Sequence, residues 1–452
     1  MNKIFQLIFL TITTLNAYPE MQNIPPEVLE KMPEEMRKKM GMEEESKDYE
    51  TIQEFLDDGD YETSEGFLKL YKNTEDDEYF LELREDELNK EFIYFAYSMN
   101  APQAAGTAGG TLRDGYILEF RRFKDGLSLH KKNTNFSNET DNNIGKADLT
   151  NVFEAFLDKF DIVVEEDDTL IISVNDLFLS ETLSAVSPNL PRQFREFVDL
   201  DLGRLDDSKT FINQVRNYPK NTAVEVTYGF ANATPNQRNA VYAVADARFT
   251  SIVSRHLFVE MPDDNFEPRV ADQRVGYFSQ RVTDMSTYDN YPQRDLINKW
   301  RLIKKDPSAE LSEPVEPIVF WVDKATPEEI KPMIVKGIEA WNIAYERAGF
   351  KNAVVAKIQP DDAEWDAGDV QYNVVRWSSS PRPAFSGYGP SIANPRTGEL
   401  IAADIVQEFN AIKRGYNYRK LWGWTAENDP LEQWMISLTM HEVGHTIGLR
   451  HN

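Results

Sequence analysis

The chain has 452 residues, 41% hydrophobic and 12% aromatic, which suits two or three domains and a sizeable core. It carries 49 basic and 76 acidic residues, a formal charge of −27 that argues against nucleic acid or an anionic membrane surface as partner. There is no cysteine, so disulfides do not hold the fold, and a core of this size can do without them.

Residues 1–17 have the pattern of a signal peptide. Lys3 gives a positive start, Ile4 to Leu15 is apolar but shorter than a bilayer span, and Leu15-Asn16-Ala17 resembles a cleavage site. The expectation is cleavage after Ala17 and a secreted chain, or a periplasmic one in a bacterium; the alternative is a buried N-terminal strand or helix. No later stretch is long and apolar enough to cross a membrane. Residues 18–65 contain prolines and then turn acidic: Glu43 to Glu62 holds ten carboxylates and one lysine. Such a run is a solvated helix face or disordered, with a removable pro-segment over the active site as a further reading.

From about Gly66 the pattern changes to short alternating runs. Phe67 to Tyr71 and Tyr79 to Leu83 read as a hairpin, and Phe92 to Tyr97 as a buried strand. Tyr116 to Phe123 pairs naturally with Leu127 to Lys131 across Lys124-Asp125-Gly126. Thr169 to Val174, Ala223 to Tyr228 and Phe249 to Glu260 are further strands. Residues 66–280 are therefore expected to form an antiparallel, β-rich N-terminal domain. His130 and His256 fall in its strands and read as structural. Residues 281–314, with Pro292, Pro307 and Pro314, read as a connector.

A different pattern fills 315–452. Ile318 to Val322 is a continuous apolar strand. Thr326-Pro327-Glu328-Glu329 offers a cap, a first-turn proline and a capping-box glutamate, while Pro332 can delay or kink the helix start. Ile334, Ile338, Trp341 and Tyr345 repeat at helical spacing up to Gly349. Ala353 to Ile358 and Val370 to Trp377 are the next strands, so a mixed sheet with packed helices is expected, and the fold class is α+β. Asp361 to Asp369 carries five carboxylates, readable as a solvated loop or as a calcium (Ca2+) site. Gly387 to Ala393 and Glu399 to Val406 form a second hairpin-like pair. A last helix should start at Asp429-Pro430.

That helix carries the chemistry. His441 and His445 stand four apart, which puts both imidazoles on one helical face about one turn apart. Glu442 follows the first of them, where it can act on a metal-bound water. Gly448 lets the chain leave the helix sharply, and the turn brings back His451 as a third nitrogen ligand. Three neutral histidines plus a water make an open tetrahedral zinc (Zn2+) site, the form of a catalytic metal. A satisfied histidine pair on a core helix would leave Gly448 and His451 unexplained.

The His441 to His451 pattern resembles the metzincin clan of zinc endopeptidases. The chain resembles, more closely, secreted metalloproteases with a Met-zincin domain behind family-specific N-terminal domains of unassigned role. The likeness is carried by Leu311 to Ile318, Ala340-Trp341-Asn342, Ala348 to Lys351, Asp366 to Asp369, Gly387 to Ser391 and Asn394 to Gly398. It implies zinc held by His441, His445 and His451, with Glu442 as general base and later acid. It also implies that Gly387 to Ala393 lies near the upper rim of the cleft, and that the substrate is a protein or peptide. Metzincins have a methionine-containing turn downstream of the third histidine; this sequence ends at Asn452, and the expectation is a zincin-like domain truncated after its zinc motif. The alternative from another class is a binding or scaffold protein with a vestigial zinc domain.

Overall fold

The computed structural model describes residues 49–451, apart from 108, 139–142, 145–149, 188–198, 236–242, 381–384, 411, 414–416, 418–420, 422 and 424–430. The expected signal peptide, residues 18–48 and the expected helix start at Asp429-Pro430 lie outside the described residues. The end of the acidic stretch is folded. Thr51 caps α1 (Ile52–Asp57), its hydroxyl accepting the Glu54 amide at 3.1 Å, and Phe55 is buried among Tyr61, Tyr71 and Phe80.

Antiparallel sheets dominate the region that follows. In the first, β1 (Tyr61–Ser64), β2 (Lys69–Asn73) and β3 (Tyr79–Arg84) run as a meander, extended by β10 (Thr169–Ser173) and β9 (Ile162–Glu166). The second has β4 (Glu91–Asn100), β5 (Thr111–Phe123), β6 (Gly126–Lys131) and β8 (Ala155–Phe160) on one side. On the other are β14 (Phe249–Glu260), β13 (Asn221–Ala231), β12 (Phe211–Tyr218) and β11 (Arg204–Leu205). The short helix α2 (Asn175–Leu179) covers its inner face with Leu177 and Phe178. These are the strands expected from alternation, and the fold is α+β with a β-rich region.

The central strand β4 is buried on both faces, and its alternating residues serve two cores. Phe92, Tyr94 and Ala96 join Tyr116, Leu118, Tyr228 and Phe258 in the main core. Ile93, Phe95 and Tyr97 point the other way, into a core shared with Val370, Ile392 and Ala402. The β-rich region and the C-terminal region are thus packed on each other.

The expected connector, 281–314, folds back instead of extending. Strands β15 (Ser279–Asp284) and β16 (Gln293–Ile297) form an antiparallel hairpin with Ser279 opposite Ile297, and β7 (Phe136–Ser137) pairs parallel to β15. Alternation is short here, and the pairing is long-range, which is why composition alone suggested a linker.

The C-terminal sheet is mixed. β17 (Ile318–Val322), β18 (Val354–Ile358), β19 (Asn373–Ser378) and β22 (Leu400–Glu408) are parallel, while β20 (Gly387–Tyr388) and β21 (Ser391–Ala393) pair antiparallel to β22. The connection from β17 to β18 runs through α3 (Lys331–Glu339) and α4 (Asn342–Arg347), and Gly349 closes it at φ +91°. The expected Thr326 cap does not form: the helix begins four residues later, with Pro332 in its first turn, and the Thr326 hydroxyl is buried with no hydrogen-bond partner. Ile334 and Ile338 pack with Phe320, Val375 and Ile405, and α5 (Leu431–Thr446) closes this core with Met435 and Val443. Among the described residues, no helix is long and apolar enough to cross a membrane.

Candidate metal centre

Helix α5 presents two faces. Met435, Thr439, Val443 and Thr446 are buried, and Thr439 accepts a hydrogen bond from the Gln407 amide of β22 at 2.8 Å. The opposite face carries His441, which is exposed, and His445, which is half-buried. At Gly448 the backbone turns left-handed, φ +102°, and the chain doubles back so that exposed His451 meets the other two.

The three Nε2 atoms form a nearly equilateral triangle: His441 to His451 3.0 Å, His445 to His441 3.1 Å, His445 to His451 3.1 Å. A tetrahedral ion about 2.0–2.1 Å from each nitrogen would space them about 3.4 Å apart, so the triangle is a few tenths of an ångström tight and otherwise of the right shape. One ligand is also oriented by a hydrogen bond of its second ring nitrogen. His445 Nδ1–H donates to the Leu449 carbonyl at 2.8 Å, which fixes the tautomer and leaves His445 Nε2 bare. Hydrogen bonds alone can then satisfy at most two of the three edges, whereas one cation satisfies all three lone pairs. Burial, followed by the neighbouring His445 and His451, pushes His441 below the usual imidazole range, which favours the neutral ligand form. The residues present fit a three-histidine zinc site.

Glu442 is 5% exposed and lies under the edge strand β20 and the residue after it, where Gly387 and Gly389 allow the approach. A Cβ on Gly387 would stand 2.6 Å from Glu442 Oε1, and one on Gly389 would stand 2.6 Å from the Glu442 carbonyl oxygen. Burial pushes the Glu442 carboxyl up to about 7, opposed by a hydrogen bond from the Gly389 backbone. A carboxyl titrating near neutrality can both take and return a proton. An open hollow beside the histidines is lined by Trp341, Ser437, Met440, Gly444, Leu449 and Arg450 as well as His441, His445 and His451.

All four site residues expected from the sequence therefore lie within the eleven residues from His441 to His451, at the end of α5 and the turn after it. Among the described residues, His441, His445 and His451 are the one group of three or more potential ligands placed to share an ion. The five carboxylates of Asp361 to Asp369, expected as a solvated loop or a calcium site, do not converge. Asp366 instead docks on the large sheet, accepting the Tyr218 hydroxyl at 2.7 Å and pairing with Arg216. His130 bonds Ser128 at 2.9 Å, and His256 is fully buried, both away from the triad. The sequence did not point to Trp341, Phe278 or Trp300, whose ring centroid or indole N–H meets this turn. Trp341 Nε1–H donates to the Met440 carbonyl at 2.9 Å, and the Phe278 ring is 5.8 Å from that of His445. These contacts are long-range, and no local motif announces them.

Residues 109–305 match the model of a family described as a domain of unknown function (DUF5117), which spans β5 to the segment just after β16. No curated protein and no solved structure matches the chain.

Proposed function

We propose that the chain is a zinc-dependent endopeptidase in which His441, His445 and His451 hold the ion and Glu442 handles protons. The observation that carries this is the triangle of imidazole nitrogens, 3.0–3.1 Å on each edge, with the His445 tautomer fixed by Leu449. When bound, zinc would supply a water acidified to about pKa 7 and a Lewis acid for the scissile carbonyl oxygen. Glu442 takes the proton of the attacking water and delivers it to the departing amine nitrogen as the C–N bond breaks. The Gly389 amide and the backbone of β20 hold that carboxyl in place. Exposure of His441 and His451 leaves one side of the centre open to a protein or peptide chain. The acidic surface and the signal-peptide pattern fit work on proteins outside the cytoplasm. A scaffold with a vestigial zinc domain leaves the enclosed, proton-ready Glu442 without a use.

The test is Glu442→Gln in the full chain. Cleavage of unfolded casein is expected to fall at least about a hundredfold, as general acid–base catalysis is lost, while zinc content stays at the wild-type level. Casein cleavage at the wild-type rate would remove Glu442 from the mechanism.

A further inference from the structure

We infer that the base of the β15–β16 hairpin is a clamp that positions the third metal ligand, so the region matching a domain of unknown function supplies part of the metal centre. The inference rests on the zinc site proposed above and extends it to residues outside the His441 to His451 stretch.

Between the end of α5 and His451 the chain runs through Ile447, Gly448, Leu449 and Arg450; the first three amides bond back to α5, and the Gly448 carbonyl and the Arg450 amide are held from outside the helix. The Phe278 amide donates to the Gly448 carbonyl at 2.7 Å, and the Arg450 amide donates to the Gly276 carbonyl at 2.9 Å. Tyr277 and Leu449 are thereby paired as antiparallel residues. The second arm of the hairpin closes from the other side. The Asn298 amide donates to the Phe278 carbonyl at 2.7 Å, and a Cβ on Gly448 would stand 2.1 Å from the Asn298 carbonyl oxygen. Trp300 Nε1–H donates at 2.9 Å to the carbonyl of Thr446, one of the last-turn carbonyls that a helix leaves without an internal partner. Gly276 to Trp300 lies wholly within residues 109–305.

A ligand on a loose segment must be ordered when the metal binds, and that ordering weakens binding. The clamp orders this segment beforehand. It does for His451 what the Leu449 carbonyl does for His445: it fixes a ligand through contacts one shell away from the ion. Gly276, Phe278, Asn298 and Trp300 are positioning residues; none needs to touch substrate.

The experiment is zinc affinity by chelator competition, with the cobalt(II) absorption spectrum as a report of the ligand set, on the full chain and on Trp300→Phe. Zinc binding is expected to weaken about ten- to a hundredfold, the range for loss of an outer-shell partner, and the cobalt bands to shift. The melting temperature of the metal-free chain should move far less. Unchanged zinc affinity and cobalt spectrum beside a lowered melting temperature would make Trp300 merely structural and overturn the clamp. A second measurement needs no variant: in metal-free wild type the Arg450 amide should be protected from hydrogen exchange. If it exchanges at an open-chain rate until zinc is added, the metal orders the turn and the clamp is overturned. Wild type that binds no zinc at all would instead overturn the metal site on which this inference rests.

Discussion

His256 shows how a titratable residue can be made structural. It is fully buried between two tyrosines, with Tyr94 Oη 2.7 Å from Nδ1 and Tyr228 Oη 2.7 Å from Nε2. The Tyr228 hydroxyl donates to the Phe178 carbonyl at 2.6 Å, so its oxygen must accept from His256 Nε2–H, and Nδ1 must accept from Tyr94. Every proton in the chain of contacts has one place to go. Burial, with Arg113 as a lesser cause, holds this imidazole down to about 3. The unfolded imidazole takes its proton near pH 6.5, so between about 6.5 and 3 the unfolded chain binds the extra proton. Stability is therefore lost as pH falls through that window, by about 1.4 kcal/mol per pH unit from this group. Urea midpoints of His256→Gln, which keeps a donor and an acceptor but cannot titrate there, should fall less steeply with acid than wild type. Parallel curves would show that His256 is not the group responsible.

At the scale of elements, the apolar contact between α5 and the sheet also holds a buried hydrogen bond. Gln407 is fully buried on β22 and donates to Thr439 Oγ1 at 2.8 Å. Thr439→Val leaves the amide without that partner, at a cost of about 1–3 kcal/mol. Replacing both partners with apolar groups removes the unmet donor, so Thr439→Val with Gln407→Leu should recover most of the loss. Equal or additive losses in the two variants, measured by chemical unfolding, would refute the pairing. The elements themselves were legible to differing degrees. Ile334 and Ile338 at helical spacing marked the buried side of α3, and Gly349 marked the exit from α4, the short helix that follows it. The start was misplaced because a Thr-Pro-Glu-Glu run can close a turn without beginning a helix, and Pro332 then sets the first helical turn. The histidine turn was legible because its three imidazoles are close in sequence. The segment from Gly276 to Trp300 that holds it was not, because it meets the turn through backbone pairing and one indole N–H from far away in sequence, which local patterns do not encode.

Across the whole molecule, the regions read as separate domains share a core. Ile93, Phe95, Tyr97 and Leu257 of the large sheet are buried with Val370, Ile392 and Ala402 of the C-terminal region. Polar contacts align the two: buried Asn221 donates to the Gly368 carbonyl at 2.9 Å and accepts the Val370 amide at 3.0 Å, and Arg396 bonds Glu91 at 2.8 Å. Residues 315–452 alone would expose that apolar face, so the isolated piece should bind a hydrophobic dye and unfold without a sharp transition. A cooperative transition for it would contradict the shared core. The continuous apolar run of β4 was visible in the sequence as a buried strand; that its second face packs on the C-terminal sheet was not, because periodicity tells that a face is buried and not what buries it.

The central claim is that three imidazoles and one ion make a centre that Glu442 serves. Its most direct test is elemental analysis of the folded full chain beside Glu442→Gln and His451→Ala. The account predicts about one zinc per chain in the first two and a marked loss in the third. Wild type without stoichiometric metal, or His451→Ala that holds zinc as tightly as wild type, would contradict it.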